Sequence, residues 1–410
     1  MAGRKQVIRL LNVTTDPISL WCFFPGQFEF LRRHGFEVHV VSSPGELLEK
    51  VRQRDSVVAY AVRMSRAITP LRDLVSLARL AYRTFKVRPH IVHAHTPKAA
   101  LLAMVAGWLL GCRVRIYHMH GLRLATSSGM QRTVLTWAER LTCRLATRVL
   151  CVSPSVREAA IELGLCGGGK IKVLGNGSIN GVDVCAAFNP DRYDRDARRH
   201  VRGTWRIPDE APVVGFVGRM VNDKGITHLF DAWCSLRSQF PALHLLLAGP
   251  TEPKDPLPAN LEVALRSDDR ICLTGHVDDT RAFYAAIDVF VLPSYREGLP
   301  IVLLEAAAMQ LPVVASRIDG CVDAVVDGVT GTLVPPRDAS ALGNALRQYL
   351  VDAHLRHRHG VAGRKRAIGQ FSRETVWQAL LEEYEQLLRS DHPNFCIARS
   401  ADAPSEKIAA

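Results

Sequence analysis

The stretch VFVLPSYREGLPIVLLE, Val289 to Glu305, decides the fold. Its first four residues are apolar and either branched or aromatic, so Val289 to Pro293 predicts a buried strand. Ser294 to Gly298 reads as a loop. Leu299 to Met309 reads as a helix, with Pro300 in its first turn, where a missing N–H costs nothing. A strand passing through a short loop into a helix is the building unit of a parallel α/β sheet.

The same alternation runs outward in both directions. Toward the C-terminus, Pro312 to Ala315 is a further strand. On the N-terminal side, Pro212 to Val217, Leu243 to Ala248 and Ile271 to Leu273 read as strands, and Gly225 to Phe240 and Thr280 to Ala286 as helices. The first half shows the pattern independently. Strands are expected at Gln6 to Val13, Glu37 to Ser42, His90 to His95, Arg113 to His118 and Arg148 to Val152. Helices are expected at Phe28 to His34, Lys98 to Leu110 and Met130 to Thr147. Strands this dense in Val, Ile and Leu are buried on both faces. The expected fold class is therefore α/β, with two Rossmann-like, doubly wound parallel-sheet domains facing a cleft. Ligands of such sheets bind at the carboxyl edges of the strands.

At 410 residues the chain is too long for one ordinary core. Gly164 to Gly181 is turn-rich and Asn189 to Arg206 is polar and charged, so the junction is expected there. The resulting division is an N-terminal domain over 1–190 and a second over 200–370. An amphipathic helix follows over 371–390, then a disordered polar tail over 391–410. No apolar run reaches the ~18 residues that span a bilayer. Leu101 to Cys112 comes nearest and reads as a buried helix. The start of the chain lacks the apolar stretch of a secretory signal. Ten cysteines without Cys-x-x-Cys spacing predict reduced thiols in a cytoplasmic protein, with neither a disulfide framework nor a zinc site.

Charge is divided unevenly. Residues 1–190 hold 26 Lys and Arg against 11 Asp and Glu, a net +15, whereas residues 191–410 hold 26 against 29. Arginines crowd the window from Arg113 to Arg148, which includes Arg123. A one-sided field of this kind attracts polyanions or an anionic membrane surface, though it equally describes a solvated basic face. Nucleic acid is the weaker option and is not expected as a partner, because aromatics are not interleaved with the basic residues as stacking platforms require.

Three motifs carry chemistry. In the first, Glu297, Gly298, Leu299, Pro300 and Ile301 precede Glu305. The amides of Leu299 and Ile301 at a helix start suit an anionic diphosphate, Glu305 a ribose diol and Glu297 the hydroxyls of a sugar. By spacing alone, a capped helix with two solvated carboxylates fits equally well. In the second, Gly218 and Arg219 end a strand while Lys224 and Gly225 open a helix, which suits a phosphate site, with ordinary surface charge at a loop as the other reading. The third is His118-Met-His120-Gly121 at a strand end. Here His120 can hydrogen-bond sugar hydroxyls, and His118 reads as a satisfied structural histidine. No third ligand follows the pair at metal spacing. His93 and His95 read as packing residues. Asp194-Arg-Asp196, Asp268-Asp269 and Asp278-Asp279 read as solvated turns. No metal and no cofactor is expected.

Together these residues resemble glycosyltransferase family 4, retaining enzymes of the GT-B fold. The matching segments are Gly215-Phe-Val-Gly-Arg-Met220, Asp223-Lys-Gly225, Gly275-His-Val-Asp-Asp279, Val291 to Pro300 and Asp327-Gly-Val-Thr-Gly331. Gly175 to Asp183 and His93-Ala-His-Thr-Pro-Lys98 resemble its capsule and O-antigen exopolysaccharide branch. The resemblance implies transfer of a hexose or N-acetylhexosamine from a UDP-sugar to a polyprenyl-diphosphate-linked or saccharide acceptor at the inner face of the plasma membrane. It implies Glu297 on the donor sugar, Glu305 on the ribose, and Arg219 and Lys224 on the departing diphosphate in place of a metal. It also implies His120 on the acceptor side, Gly26 near the phosphates, and a last helix, near Trp377, that crosses back to the N-terminal domain. Only one glycine stands in Phe24-Pro-Gly-Gln27, a departure from the family pattern. A nucleotide-sugar 2-epimerase of the same architecture and a non-catalytic nucleotide-sugar or polyanion binding module are the rival readings.

Overall fold

The computed structural model describes residues 7–391 apart from 123, 125, 126, 253, 254 and 278. Arg123, Asp278, Cys396 and the polar tail from 392 onward thus lie outside the described residues. The chain divides into two compact units. The first holds residues up to Asn180 together with those from Val376 on, and the second runs from Gly181 to Thr375.

In the first unit, elements follow one another as β1 (Ile8–Val13), α1 (Pro17–Phe23), α2 (Gln27–Arg33), β2 (Phe36–Ser42), α3 (Glu46–Asp55), β3 (Val58–Ala61) and α4 (Pro70–Val87). Then come β4 (Ile91–Ala94), α5 (Pro97–Leu109), β5 (Val114–Met119), α6 (Gly129–Leu145), β6 (Arg148–Cys151), α7 (Pro154–Glu162) and β7 (Ile171–Val173). The seven strands form one sheet in the order β3-β2-β1-β4-β5-β6-β7, and every pairing is parallel. Because side chains alternate across a strand, each strand feeds two cores. Leu11, Val13, Val92, Tyr117 and Val149 meet helices α4 to α7 on one face. Leu10, Val40, Ile91, Ile116 and Leu150 lie on the other face, with α1, α2 and α3.

The second unit begins with α8 (Arg195–Thr204), β8 (Val213–Val217), α9 (Ile226–Gln239), β9 (His244–Ala248), α10 (Ala259–Ser267) and β10 (Ile271–Gly275). It continues with α11 (Thr280–Ala286), β11 (Val289–Leu292), α12 (Ile301–Ala308), β12 (Val313–Ser316), α13 (Cys321–Ala324) and β13 (Gly331–Val334). Helices α14 (Ala339–Val351), α15 (Ala353–Phe371) and α16 (Arg373–Asp391) end it. Six parallel strands run in the order β10-β9-β8-β11-β12-β13 around a single apolar core that includes Phe216, Trp233, Phe283 and Phe290. From Val376 onward α16 belongs to the first unit. There Leu380, Leu381, Tyr384 and Leu388, spaced as one helical stripe, complete the core of its second face.

Two expectations need correction. The division falls at Asn180 and Gly181, within the turn-rich stretch from Gly164 to Gly181, and not at the bounds of 190 and 200. The charged stretch from Asn189 to Arg206 is not a linker but contains α8. Asp194 is its N-cap and accepts from the Ala197 amide at 2.8 Å, a structural use for an Asp-x-Asp pattern. Arg202 is only 2% exposed and donates to the carbonyls of Ala286, Asp209 and Ala211 and to Asp288. A buried arginine of this sort looks like surface charge in a sequence, because composition cannot show its partners. Among the described residues no helix is long and apolar enough to cross a membrane. Helix α5, the nearest candidate by sequence, is buried from Ala99 to Gly107.

Candidate active site

The second sheet changes direction between β8 and β11, since consecutive strands build outward from there on opposite sides. At such a switch point the two following loops part and leave a crevice at the carboxyl edge. Here the loop after β8 carries Gly218, Arg219 and Lys224, and the loop after β11 carries Tyr295, Arg296, Glu297 and Gly298.

These loops are fastened to each other. The Tyr295 amide donates to the Asp223 carbonyl at 2.8 Å, and the Arg296 guanidinium to the Asp223 carboxylate at 3.0 Å. Gly225 has φ +71, and a Cβ there would fall 2.0 Å from the Pro293 carbonyl oxygen. Only glycine therefore lets α9 start this close to β11. The consequence is that Lys224 Nζ lies 2.5 Å from Glu297 Oε1, with both side chains largely buried. The Tyr295 hydroxyl reaches His228 Nδ1 at 2.5 Å and steadies the same loop.

Other expected members of the site stand apart from this pair. Arg219 donates to Glu252 at 2.8 Å, and both groups are exposed. Glu305 accepts from the Tyr284 hydroxyl at 2.8 Å. The residue keeps some solvent contact, but the atoms packed around its carboxyl desolvate it and push its pKa up to about 7. The Tyr284 hydrogen bond and the Arg373 charge oppose that rise without cancelling it. Helix α12 begins at Ile301 with Pro300 as its N-cap, so Leu299 lies in the loop rather than in the helix. The Pro300 carbonyl accepts from the Leu303 amide at 3.1 Å. It is the first-turn amides of Ile301 and Val302 that have no acceptor within the helix.

At the ends of β8, β9 and β10, a cavity of about 390 Å³ is lined by Met220, Gly249, Thr251, Leu257 and Gly275 among others. A larger one of about 540 Å³ sits among Arg195, Arg198, Arg202 and Asp288. It opens at the opposite end of β8 and β11 and is lined by ion pairs that already satisfy one another, so the smaller cavity is the one relevant to a ligand.

The first sheet has its own switch point, between β1 and β4. Thr15 and Thr96 tie the two departing loops, with hydroxyls 2.7 Å apart. At the same edge four histidines gather. His95 Nε2 lies 2.9 Å from Asn12 Nδ2, and His95 Nδ1 lies 3.3 Å from His120 Nε2. His93 Nδ1 lies 2.6 Å from the Tyr384 hydroxyl. Burial disfavours charge on all four, holding His93 down to about 3 and His120 to about 4. His118, expected to be a satisfied structural residue, has no partner for its Nδ1 among the described residues. Gly26 is the N-cap of α2 at φ +81, and a Cβ there would lie 2.8 Å from the Trp377 ring. Its conformation thus has a packing reason within the first unit.

Sequence reading missed Asn12, Asp223, Tyr284, Tyr295 and Tyr384. For Asn12 a signal existed, since an amide among Leu10, Leu11 and Val13 in the strand IRLLNV needs a buried partner.

Two doubly wound parallel sheets on one chain are the architecture of the two-domain glycosyltransferases. Residues 211–352 match the family described as glycosyl transferases group 1, and residues 26–177 match the glycosyl transferase 4-like domain. The capsular polysaccharide biosynthesis glycosyltransferase CapM of Staphylococcus aureus is 34% identical over 89% of this chain and 93% of its own length. The chain belongs to this glycosyltransferase family. The UDP-Gal:alpha-D-GlcNAc-diphosphoundecaprenol alpha-1,3-galactosyltransferase of Escherichia coli is 28% identical over 78% of this chain and 81% of that protein. The fold matches the Anabaena HepE structure in complex with UDP and glucose with a TM-score of 0.76, at 20% identity, over 92% of this chain and 99% of that one.

Proposed function

We propose that this glycosyltransferase is a retaining enzyme that moves a hexose or N-acetylhexosamine from a UDP-sugar to a polyprenyl-diphosphate-linked or saccharide acceptor during surface polysaccharide synthesis. The contact between Lys224 and Glu297 carries the proposal. A lysine ammonium has three donors, and one is committed to Glu297. The other two are available to a diphosphate, while the second oxygen of Glu297 accepts from a donor-sugar hydroxyl. Arg219 is held only by an exposed ion pair, which a diphosphate readily displaces. These two cations and the first-turn amides of α12 stabilise the charge that develops as UDP leaves. They supply the charge that a divalent ion would otherwise bring. The base occupies the cavity at the ends of β8 to β10, and Glu305 takes the ribose diol. The acceptor hydroxyl attacks from the face that the leaving group vacates, within a tight ion pair, with His120 in contact with the transferred sugar.

The names of the relatives support the acceptor class. CapM is a capsular enzyme, and the Escherichia coli relative acts on a diphosphoundecaprenol-linked sugar. Helices α4, α5 and α6 add support for a membrane surface. They expose Leu71, Leu74, Phe85, Trp108, Met130 and Trp137, an unusual number of large apolar side chains for solvent. Their arginines Arg72, Arg79, Arg83 and Arg132 suit anionic headgroups.

Incubating the protein with a panel of UDP- and GDP-sugars, with and without membrane extract, tests the reading by mass spectrometry of the products. Extract-dependent glycosylation of a lipid from a UDP-sugar is the expected result. Conversion of the UDP-sugar with no acceptor present would identify an epimerase instead, and UDP binding without turnover a binding module.

A further inference from the structure

The histidines at the edge of the first sheet come from two neighbouring strands. His93 leaves β4 and His118 leaves β5 on the face where Ile91 and Ile116 also lie, the face that α16 covers. His95 follows β4 directly. His93, His95 and His118 are 1%, 1% and 4% exposed. Each can offer a ring nitrogen such that the three lie within 4.8 Å of one another. At that upper spacing a central point is about 2.8 Å from each atom, so closing onto an ion at about 2.0–2.1 Å needs each ring to move about 0.7 Å. Small rotations of the rings achieve that.

The hydrogen bonding points the same way. His93 Nε2, His118 Nδ1 and Asn12 Oδ1 are buried and have no partner among the described residues. Native interiors rarely leave such atoms dry, and the two ring nitrogens in one cluster call for a common partner. Two of the other ring nitrogens are already engaged in the manner of metal-ligating histidines. Tyr384 holds His93 at Nδ1, and Asn12 holds His95 at Nε2. Turning the Asn12 amide over would let Oδ1 accept the His95 Nε2–H and leave Nδ1 as the lone pair.

We infer that His93, His95 and His118 form a binding site for a single zinc-class divalent ion, with Tyr384 and Asn12 orienting two of the ligands. Three neutral imidazoles suit this ion and give its common tetrahedral set with one position to spare. Binding through His95 Nδ1 replaces the contact with His120. It frees that residue, the most exposed of the four, for the role proposed above.

Zinc content tests the inference without reference to transferase activity. The full chain, expressed with zinc supplementation and purified without chelator, is expected to hold about one zinc per molecule. Cobalt added to the stripped protein should give visible d–d bands of a tetrahedral site. His93→Gln and His118→Asn should lose both signals. Tyr384→Phe keeps all three ligands and should weaken zinc affinity about 10- to 100-fold with an unchanged circular dichroism spectrum. Absence of zinc and of cobalt bands in the unaltered protein would overturn the site and assign the unpartnered atoms to a buried water. Equal zinc retention in His93→Gln and His118→Asn would also overturn it, by showing adventitious binding elsewhere.

Discussion

Lys224 and Glu297, separated by 73 positions, meet at 2.5 Å where the loops after β8 and β11 part. Neither side chain has much water around it, so the pair is ordered before any donor arrives. Removing one partner leaves the other poorly solvated, whereas a bound diphosphate adds a second partner to the lysine.

The Lys224→Ala substitution should therefore lower kcat by about 10²- to 10³-fold, the loss usual when one group stabilising a developing anion is removed. Acceptor KM should hardly change. Steady-state kinetics, with a thermal melt to confirm folding, check both statements. Near-normal turnover in a folded variant would remove the basis of the proposed mechanism.

Arg219 and Glu252 form an exposed pair, and such pairs contribute only about 0–1 kcal/mol. Glu252→Gln should leave the melting temperature and the turnover nearly intact. Arg219→Ala should match it in stability but turn over much more slowly. Equal activities in the two variants would mean that Arg219 never reaches the diphosphate.

Glu305 gives a pH signature. Its carboxyl is raised from 4.5 to about 7 on folding, so the folded state binds the extra proton between those values. Stability from this group is fully present below about 4.5 and is lost as pH rises to about 7. The slope of stability against pH over that window should be shallower in Glu305→Gln. A ribose diol donating to the ionised carboxylate reverses the sense for ligand binding. UDP affinity should rise from pH 6 to pH 8 in the unaltered protein and stay flat in Glu305→Gln. Calorimetric titration at three pH values decides it.

The face of α4 to α6 predicts a lipid preference. Sedimentation should show stronger binding to anionic than to neutral vesicles, weakening with salt because exposed charges are screened over about 8–10 Å. Combining Leu74→Ser with Trp137→Ser should weaken binding while leaving turnover on a soluble acceptor unchanged. Equal binding to both vesicle types would argue against an electrostatic surface role.

Arg202 tests the corrected junction. Arg202→Leu leaves Asp288 without its most buried partner and several carbonyls without donors, so a loss of about 3–5 kcal/mol is expected. Denaturant unfolding monitored at Trp233 and Trp205 would report it. A flexible linker would tolerate the change.

Much of this was legible in the chain itself. The branched runs Val289–Leu292 and Val213–Val217 could only be buried strands, and each ends near where the sequence placed it. Lys224 and Glu297 were legible as separate candidates because each stands in a loop between a strand and a helix. The sequence did not show α8, since arginine spacing carries no information about buried carbonyl partners. The start of α12 was also off by two positions, which moves Leu299 into the loop and leaves the first-turn amides to Ile301 and Val302, while Glu297 stands in the loop as expected.

What the sequence determined by itself was the alternation of strand and helix and the residue types available at the strand ends, because side-chain periodicity is a local property. Which ends come together depends on strand order, and that is set by packing over the whole sheet. Only the tertiary structure places β8 beside β11, so that Lys224 finds Glu297. Only it places β4 beside β5, and Tyr384 against His93 from 291 positions away, so that unremarkable packing histidines become one buried cluster.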